Sequence, residues 1–421
     1  MSRVIVWAVV GVVGLALCSC QKRTAEMEPY RPPKADYGQP LQPGELALRK
    51  ISRDQYPDFA RGLRNRDRLL EAVEHSLKYM EKLSSRKYFP YATITHRQAV
   101  ASLQRFLELL HTTTTAEEMA AAIRDEFDVY ESVGYDGAGT VYFTGYYTPI
   151  FDGRLRPDDE FRYPLYKLPP DLVKDDEGRI LGRREPDGSI SSRYPTRREI
   201  EEGRLLDGWE IAWLRSAFEA YVVTVQGSAR LRLETGELYE LGYAGNNGHP
   251  YTPISDAMIE DGIIGRKDRS LATLLRYFSD HPGQTHHYAW KNDRYVFFDR
   301  TTGGPFGSLN VPVTPFRSLA TDKEVFPRAA ITFLKTELPV AYEGTVVSKP
   351  CSGFALDQDT GGAIRAAGRC DVYMGIGPSA EALAGHTGSQ GRLYYIFLRP
   401  QQRAAKRDLF DEAHSDEENR H

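Results

Sequence analysis

The chain has 421 residues, of which 41% are hydrophobic and 27% are charged, so it has enough apolar side chains to bury a substantial core. Its formal net charge of −4 gives no reason to predict binding to nucleic acid or to an anionic membrane face. At about 150 residues per domain, we expect about two domains once a leader and a tail are set aside.

The N-terminus has the pattern of a bacterial lipoprotein leader. Arg3 gives a basic start, and residues 4–17 form an apolar run that is too short to span a membrane but typical of a secretory signal. Leu17 and the small Ser19 precede Cys20 in an order that resembles a lipobox. We therefore predict a signal peptide over residues 1–20 and lipidation of Cys20, which would anchor the chain to a membrane. An ordinary cleaved signal peptide is the alternative.

The next segments predict a linker followed by helices. Residues 21–50 are rich in proline and polar side chains, which is typical of a linker. Residues 58–130 carry leucine, valine and methionine at helical spacing. Two capping-box patterns, at residues 95–98 and 115–118, predict the starts of two helices. We expect these helices to pack against the rest of the protein and not to form a binding face.

After residue 138 the sequence changes to short β-type runs separated by glycine, proline and asparagine. Closely spaced strands with little helix favour a barrel or a sandwich. The tail at 401–421 is charged and lacks apolar periodicity, so it is predicted to be disordered. Strands are predicted at 141–143, 221–225, 229–233 and 295–298, and short helices near 210–220 and 271–277.

Two carboxylates stand close together near the C-terminal end of this region. The apolar run 353–356 predicts a strand that delivers Asp359 to a loop, and residues 372–373 predict the next strand, with Asp371 at its start. Two neighbouring carboxylates perturb each other's pKa, which acid/base chemistry on a sugar or a peptide requires. An ordinary Asx-turn at Asp359 is the alternative.

Glycines and cysteines surround these carboxylates. Gly361 and Gly362 are predicted to allow turns that a Cβ would forbid and to leave room for a ligand. Cys351 and Cys370 bracket the Asp359 loop, and in an oxidising compartment a disulfide between them would join the two acid-bearing segments. Two free thiols too far apart to join are an equal alternative.

The sequence does not predict a metal, nucleotide or other cofactor. His286 and His287 are adjacent, so on one strand they would point to opposite faces, and His249 and His386 lie in turn-like contexts. Residues 359–361 read Asp-Thr-Gly, the local signature of aspartic proteases, but the chain has no second copy of that motif. A single-chain protease of that type is therefore disfavoured.

Taken in order, the motifs resemble the membrane-bound lytic murein transglycosylase A family over roughly residues 130 to 400. The family's three-aspartate pattern maps to Asp322, Asp359 and Asp371. The segments that carry the resemblance are 143–149 (FTGYYTP), 194–197, 225–228 (VQGS), 247–251 (NGHPY), 292–298, 304–307, 318–322, 359–364 (DTGGAI) and residue 371.

The resemblance implies a mainly β protein with a helical N-terminal part. Its core would be a double-psi β-barrel that carries an inserted second β-domain, with a long groove between the two. The resemblance also implies three parts of the chain: a helical part of the barrel domain at 51–148, the inserted domain at 149–298, and the double-psi, three-aspartate part at 299–400.

The resemblance also implies an activity. Family members cleave the β-1,4 bond between N-acetylmuramic acid and N-acetylglucosamine without water and leave a 1,6-anhydromuramoyl end. By position, Asp371 matches the catalytic acid/base, and Asp359 and Asp322 match the supporting aspartates. The implied partners are peptidoglycan glycan strands, the membrane through Cys20, and other cell-wall enzymes. The implied location is the periplasmic face of the outer membrane. A peptidoglycan-binding lipoprotein without activity is the alternative.

Several residues are implied as substrate contacts, with structural packing as the alternative for each. Three departures from the family pattern are expected to alter loop shape and not the carboxylates. Ala366 stands where the family usually has glycine, residues 326–329 (FPRA) lack another family glycine, and residues 348–351 are atypical of the family. The implied contacts are Thr144, Gly145, Tyr146, Tyr147, Gln226, Gly227, Ser228, Gly361 and Gly362.

Overall fold

The computed structural model describes residues 35–175, 178–265 and 268–400. The predicted signal peptide with Cys20, most of the predicted linker and the predicted disordered tail at 401–421 lie outside these residues. The described residues from Asp36 to 400 belong to one structural unit. Within the described ranges, no helix combines the length and the apolar character needed to cross a membrane.

The described part of the chain begins with a mainly helical region up to Glu126 and continues with strands among which shorter helices lie. The strands are β1 (Leu48–Lys50), β2 (Phe127–Ser132), β3 (Val141–Thr148), β4 (Ile150–Arg154), β5 (Tyr163–Tyr166), β6 (Leu172–Lys174), β7 (Ile180–Arg183), β8 (Glu210–Leu214), β9 (Ala229–Arg232), β10 (Leu238–Asn246), β11 (Val296–Thr301), β12 (Ser318–Ala320), β13 (Ile331–Tyr342), β14 (Thr345–Asp359), β15 (Arg369–Ile376) and β16 (Gly388–Leu398). The α-helices are α1 (Phe59–Leu63), α2 (Leu69–Met80), α3 (His96–Thr112), α4 (Ala116–Glu126), α5 (Arg197–Glu202), α6 (Ala217–Gln226), α7 (Ile254–Glu260), α8 (Leu271–Asp280), α9 (Thr285–Ala289) and α10 (Pro378–His386). Short 3-10 helices span Arg53–Gln55, Leu83–Tyr88 and Pro282–Gln284.

Six strands close into a barrel in the order β16-β13-β14-β12-β15-β3, because β3 pairs with both β15 and β16. The β12–β14 and β3–β15 pairs are parallel, and the other pairs in the ring are antiparallel. Strands β2 and β1 extend the sheet beyond β16. This closed, mixed barrel is the arrangement expected of the predicted double-psi fold.

The N-terminal helices pack on the outside of the barrel, as predicted. Helices α1 and α2 contact β14, and α3 contacts β16. Helix α2 buries an apolar stripe that includes Leu69, Val73 and Met80, so its amphipathic spacing places it on the sheet. The side chains of Thr95 and Thr115 accept the predicted N-cap hydrogen bonds of α3 and α4. Sequence spacing alone therefore located these helices.

The inserted part of the chain runs from β4 to β11 and forms its own sheet, in the order β11-β10-β9-β4-β8-β5. A separate hairpin, β6–β7, and helices α5 to α9 accompany it. Its sheet encloses a core that includes Leu165, Leu231 and Phe298. A second cluster, around Phe218 and Met258, holds its helices together. The chain therefore leaves the barrel after β3 and returns to it at β12.

Two predicted boundaries need correction. The predicted linker at 21–50 ends in β1, which pairs with β2, and the adjacent Ala47 is only 1% exposed. The predicted end of the insert at 298 falls inside β11, which pairs with β10 as far as Thr301. Arg49 and Lys50 interrupt the apolar pattern in β1, and Asp299 and Arg300 interrupt it in β11, so β1 was missed and the end of β11 was placed too early.

The strand predicted at 221–225 is wrong, and the helix predicted near 210–220 is right only over 217–220, where α6 begins. Residues 221–225 lie in α6, and the segment before it is the strand β8. A capping box between Ser216 and Glu219 starts α6, and Gly227, with a φ of 78°, ends it. The three valines favoured a strand by propensity, but the caps and tertiary packing favour a helix. Likewise, His286 and His287 lie in α9 and not on a strand.

The possible disulfide between Cys351 and Cys370 is absent, and both thiols are free. Cys351 lies on β14 and Cys370 on β15, with β12 between these strands in the barrel. Two strand spacings amount to about 10 Å, which exceeds the roughly 7 Å that a disulfide can span between Cα atoms.

Candidate active site

Strand register brings the two predicted carboxylates into one row across the barrel. Ala320 on the central strand β12 lies opposite Asp359 of β14 on one side and Asp371 of β15 on the other. Thr144 of β3 continues the row beside Asp371. The two acid-bearing strands are therefore about 10 Å apart, with only the methyl group of Ala320 from the strand between them. The small side chain leaves space between the two carboxyl groups.

Asp371 has the environment of a proton donor. Its side chain is half-buried, and the Thr144 hydroxyl donates a hydrogen bond to its Oδ1. The pKa of Asp371 is raised from 3.8 to about 6, chiefly by burial; the Arg369 guanidinium opposes this rise, and the charge of Asp359 adds to it. About half of the Asp371 carboxyl groups are therefore protonated at a pH near 6, where an ordinary aspartate is almost fully ionised.

Asp359 is held by three hydrogen-bond donors. The Tyr146 hydroxyl donates to Oδ2 at 2.8 Å, and the backbone N–H groups of Ser308 and Thr360 donate to Oδ1 at 2.7 and 2.8 Å. The pKa of Asp359 lies above its ordinary value because of burial, and these donors oppose the rise because they favour the carboxylate. Asp359 is thus fixed in place by donors that suit a negative charge, and Asp371 is better suited to donate a proton.

Close backbone approach explains two glycines at this site. A Cβ on Gly307 would lie 3.1 Å from the carboxyl carbon of Asp359, and one on Gly362 would lie 3.0 Å from the Nε atom of Arg294 in the insert. Neither Gly361 nor Gly362 has a positive φ, so the backbone angles alone do not require glycine at these two predicted turn positions. Gly362 is needed because the insert lies against this loop.

Asp322 supports the loop and does not bond to the other two carboxylates. Its side chain is 5% exposed, and it accepts hydrogen bonds from the N–H groups of Ala366 at 2.8 Å and Glu324 at 3.1 Å. Because Ala366 lies between Asp359 and Asp371 in the sequence, this bond holds the connection between the two acid-bearing strands.

The predicted substrate contacts on β3 divide between its two faces. Thr144 and Tyr146 are half-buried and bond to Asp371 and Asp359. Tyr147 is 1% exposed and its hydroxyl donates to Glu381 at 2.8 Å, which favours the packing alternative for this residue. Gly145 faces α10, where a Cβ would meet the backbone at 3.0 Å. Alternate side chains of a strand point to opposite faces, which explains the division.

The other predicted contacts lie where the insert meets the barrel. The Gln226 side chain accepts a hydrogen bond from the N–H of Tyr147 at 3.2 Å, and the Ser228 hydroxyl lies 3.2 Å from that of Thr148. Between them, Gly227 is the C-cap of α6. Ser228 is buried, whereas Gln226 and Gly227 are half-buried. These three residues therefore fasten the insert to the end of β3, next to the acids.

Three charged residues of the site were missed from the sequence. Arg369 lies two residues before Asp371, and strand alternation could have identified it. Lys323 forms an ion pair with Asp357, and their side chains are 4% and 0% exposed. Asp357 also accepts a hydrogen bond from Tyr395 at 2.8 Å. Nothing in the local sequence signals this pair, since its members are 34 residues apart.

Comparisons with known proteins agree with this arrangement. A family model described as the MltA specific insert domain matches residues 142–299, and one described as the 3D domain matches residues 317–397. The membrane-bound lytic murein transglycosylase A of Escherichia coli K12 is 31% identical over 282 residues, which cover 65% of this chain and 70% of that protein. The protein of the same name from Vibrio cholerae is 29% identical over 270 residues, which cover 63% and 67%.

Solved structures extend the similarity to the fold. The membrane-bound lytic murein transglycosylase from Agrobacterium tumefaciens matches with a TM-score of 0.70 and 27% identity, over 86% of this chain and 99% of that one. E. coli MltA with bound chitohexaose matches with a TM-score of 0.64 and 24% identity, over 87% and 99%. These matches confirm the predicted fold, a barrel with helices at its N-terminal part and an inserted second β-domain.

Proposed function

Because the chain belongs to the membrane-bound lytic murein transglycosylase A family, we propose that it cleaves peptidoglycan as a lytic transglycosylase. The bond broken is the β-1,4 link between N-acetylmuramic acid and N-acetylglucosamine, and the product carries a 1,6-anhydromuramoyl end. The observation that carries this proposal is the half-buried carboxyl of Asp371, whose pKa is raised to about 6, in a row with the anchored carboxyl of Asp359.

The first step requires an acid. Protonated Asp371 donates its proton to the glycosidic oxygen as the bond from that oxygen to the anomeric carbon of the muramoyl ring breaks. A pKa of about 6 keeps a useful fraction of Asp371 protonated under mildly acidic conditions. Positive charge develops at the anomeric carbon, and the carboxylate of Asp359 would stabilise that charge. Its three hydrogen-bond donors favour the ionised form of Asp359 and fix its position.

The second step uses the same residue as a base. Asp371, now a carboxylate, accepts the proton of the muramoyl 6-hydroxyl while that oxygen bonds to the anomeric carbon. The substrate thus supplies its own nucleophile, the 1,6-anhydro ring closes, and Asp371 returns to its protonated form. No water enters the product, in contrast to hydrolysis by paired carboxylates.

The glycan strand would lie where the insert meets the barrel. The side chains of Thr144 and Tyr146 belong to this region on β3, and Gln226 is half-buried at its edge. Sugar rings bind through hydroxyl and acetamido hydrogen bonds and through contact with aromatic rings, and these side chains can supply both.

The experiment that tests the proposal is digestion of peptidoglycan sacculi by the detergent-solubilised full chain, with mass spectrometry of the soluble products. We expect anhydromuropeptides from the wild type. Asp371→Asn should abolish release while the protein still binds sacculi, and Asp159→Asn, at an exposed aspartate, is the matched control. Products one water heavier would identify a hydrolase, and normal release by Asp371→Asn would remove that residue from the reaction.

The cell envelope is the proposed location. We infer that Cys20 is lipidated and holds the enzyme at the periplasmic face of the outer membrane, near the glycan strands and other cell-wall enzymes. The lipobox-like residues before Cys20 support this, as does the word "membrane-bound" in the names of the relatives.

A further inference from the structure

Arg369 is a cation placed beside the acid without forming an ion pair with it. It lies two residues before Asp371 on β15, so both side chains lie on the same side of the strand. Its Nη2 donates a hydrogen bond to the Oγ1 of Thr144 at 3.1 Å, and its guanidinium carbon lies 5.6 Å from the ring centre of Tyr142. Its Nε is buried and has no hydrogen-bond partner among the described residues. Arg369 is therefore fixed by Thr144 and by packing.

The bond from Arg369 determines the direction of the Thr144 hydroxyl. A threonine hydroxyl has one hydrogen to donate, and a guanidinium can only donate, so the Oγ1 of Thr144 is the acceptor towards Arg369. In the part of the chain that the structure describes, the only acceptor for the Thr144 hydrogen is Oδ1 of Asp371. Since Oδ1 accepts this hydrogen, the proton of neutral Asp371 belongs on Oδ2. No hydrogen bond from the described residues reaches Oδ2, which leaves it open to a ligand.

We propose that Arg369 is a positioning residue of the reaction, which acts through Thr144 to keep the catalytic proton on Oδ2 of Asp371. The inference rests on the proposed function, because it specifies which oxygen delivers the proton. The positive charge has a second effect: it opposes the effect of burial, so Asp371 can still become a carboxylate for the base step.

The remaining titratable groups near Asp371 come from three strands and are unchanged in the tests below. Asp359 of β14 and Tyr146 of β3 face the acid, and Cys370 precedes it on β15. The facing residue of β12 is Ala320, which does not titrate. A change in the pH profile on replacing Arg369 therefore reports the effect of Arg369 itself.

The first experiment is the pH profile of anhydromuropeptide release by the full chain. Wild-type release falls as the pH rises through the pKa of Asp371, because the acid form is lost. With Arg369→Gln we expect this descending limb to move up by about half to one pH unit and kcat to fall about tenfold. Arg369→Lys keeps the positive charge but loses the planar guanidinium group. Its kcat should therefore fall, while its descending limb should shift less than that of Arg369→Gln. An unshifted limb in Arg369→Gln would overturn the proposal.

A double-mutant cycle tests whether Arg369 acts through Thr144. Thr144→Val removes the bridging hydroxyl with little change in volume. In that background, adding Arg369→Gln should lower kcat by less than about twofold, because the bridge is already broken. A further tenfold loss would show that Arg369 acts by another route, against the proposal.

The pKa of folded Asp371 is also measurable without turnover, from the pH above which the stability difference between each chain and its Asp371→Asn version stops growing. That pH should be higher in the Arg369→Gln background than in the wild type. If the wild type releases no anhydromuropeptides but this shift occurs, only the proposed function fails. If release is normal and the shift is absent, only the role of Arg369 fails. Arg198→Gln, at a side chain that is 60% exposed, is the control for loss of an arginine.

Discussion

Asp371→Asn should make the protein more stable at neutral and alkaline pH. Burial raises the pKa of Asp371 from 3.8 to about 6 in the folded state, so the folded protein binds the proton more tightly than the unfolded chain does. Stability from this group is therefore fully present below about pH 4 and is lost as the pH rises towards and past about 6. Asparagine resembles the neutral acid: its oxygen can accept from Thr144, and it has no charge to desolvate.

The size of the effect follows from the pKa rise. A rise of about two units in the pKa corresponds to about 3 kcal/mol, because each pKa unit is worth about 1.4 kcal/mol. Because the side chain is half-buried and part of this is screened by solvent, we expect Asp371→Asn to raise the free energy of unfolding by about 1–3 kcal/mol at about pH 8. Below about pH 4 the difference should vanish, because both states of the wild type are then protonated.

The assay is urea denaturation of both chains across this pH range, followed by tryptophan fluorescence. Asp159→Asn should show no pH-dependent difference from the wild type, because Asp159 is exposed. A wild type that is more stable than Asp371→Asn at about pH 8 would refute the reasoning, because it would mean that the folded state favours the ionised carboxyl. A difference that does not change with pH would refute it too.

Two further predictions concern the support beneath the acids. Lys323→Met should lower the free energy of unfolding by about 3–5 kcal/mol in the same denaturation assay, because it leaves the buried carboxylate of Asp357 without its cation. Adding Asp357→Asn should recover part of this loss, and a loss below about 1 kcal/mol would contradict the prediction. Ala366→Gly should leave stability nearly unchanged. Glycine removes the strain of a left-handed alanine, about 1–2 kcal/mol, but it also loses a buried methyl group and makes the unfolded chain more flexible, and these effects offset one another. Its control, Ala367→Gly, should lose about 1–2 kcal/mol, because Ala367 is as buried but has no positive φ; equal losses would refute the strain argument.

Local pattern was enough to predict the strands that carry the acids. The run before Asp359 is apolar and lies in β14, and Asp371 lies near the start of β15 as expected. Strand alternation could also have separated Tyr146 from Tyr147, since neighbours on a strand face opposite sides. Only Tyr146 bonds to one of the two candidate catalytic acids, Asp359. Tyr147 is buried against α10, where its hydroxyl donates to Glu381. The resemblance of motifs named both tyrosines, because a motif does not distinguish a ligand contact from a packing contact.

Long-range pairing could not be predicted in the same way. The position of Ala320 between the two acids depends on β12 joining a parallel and an antiparallel neighbour. Nothing within 10 residues of Ala320 specifies either partner, since β14 and β15 follow much later in the chain. The pair of Lys323 and Asp357 depends on the same closure. Sequence reasoning therefore identified the reacting groups and missed the residues that hold them.

The two departures that replace a family glycine both fall at residues with left-handed backbones. Ala366 has a φ of 60° and Ala329 a φ of 58°, and a Cβ there costs about 1–2 kcal/mol each. Each N–H makes a bond that fixes the conformation: that of Ala366 donates to Asp322, and that of Ala329 to the carbonyl of Asp357, both at 2.8 Å. Losing a buried bond of this kind costs about 1–3 kcal/mol, which is as much as the strain it opposes. Alanine can therefore replace glycine at both sites without displacing the loop that connects Asp359 to Asp371.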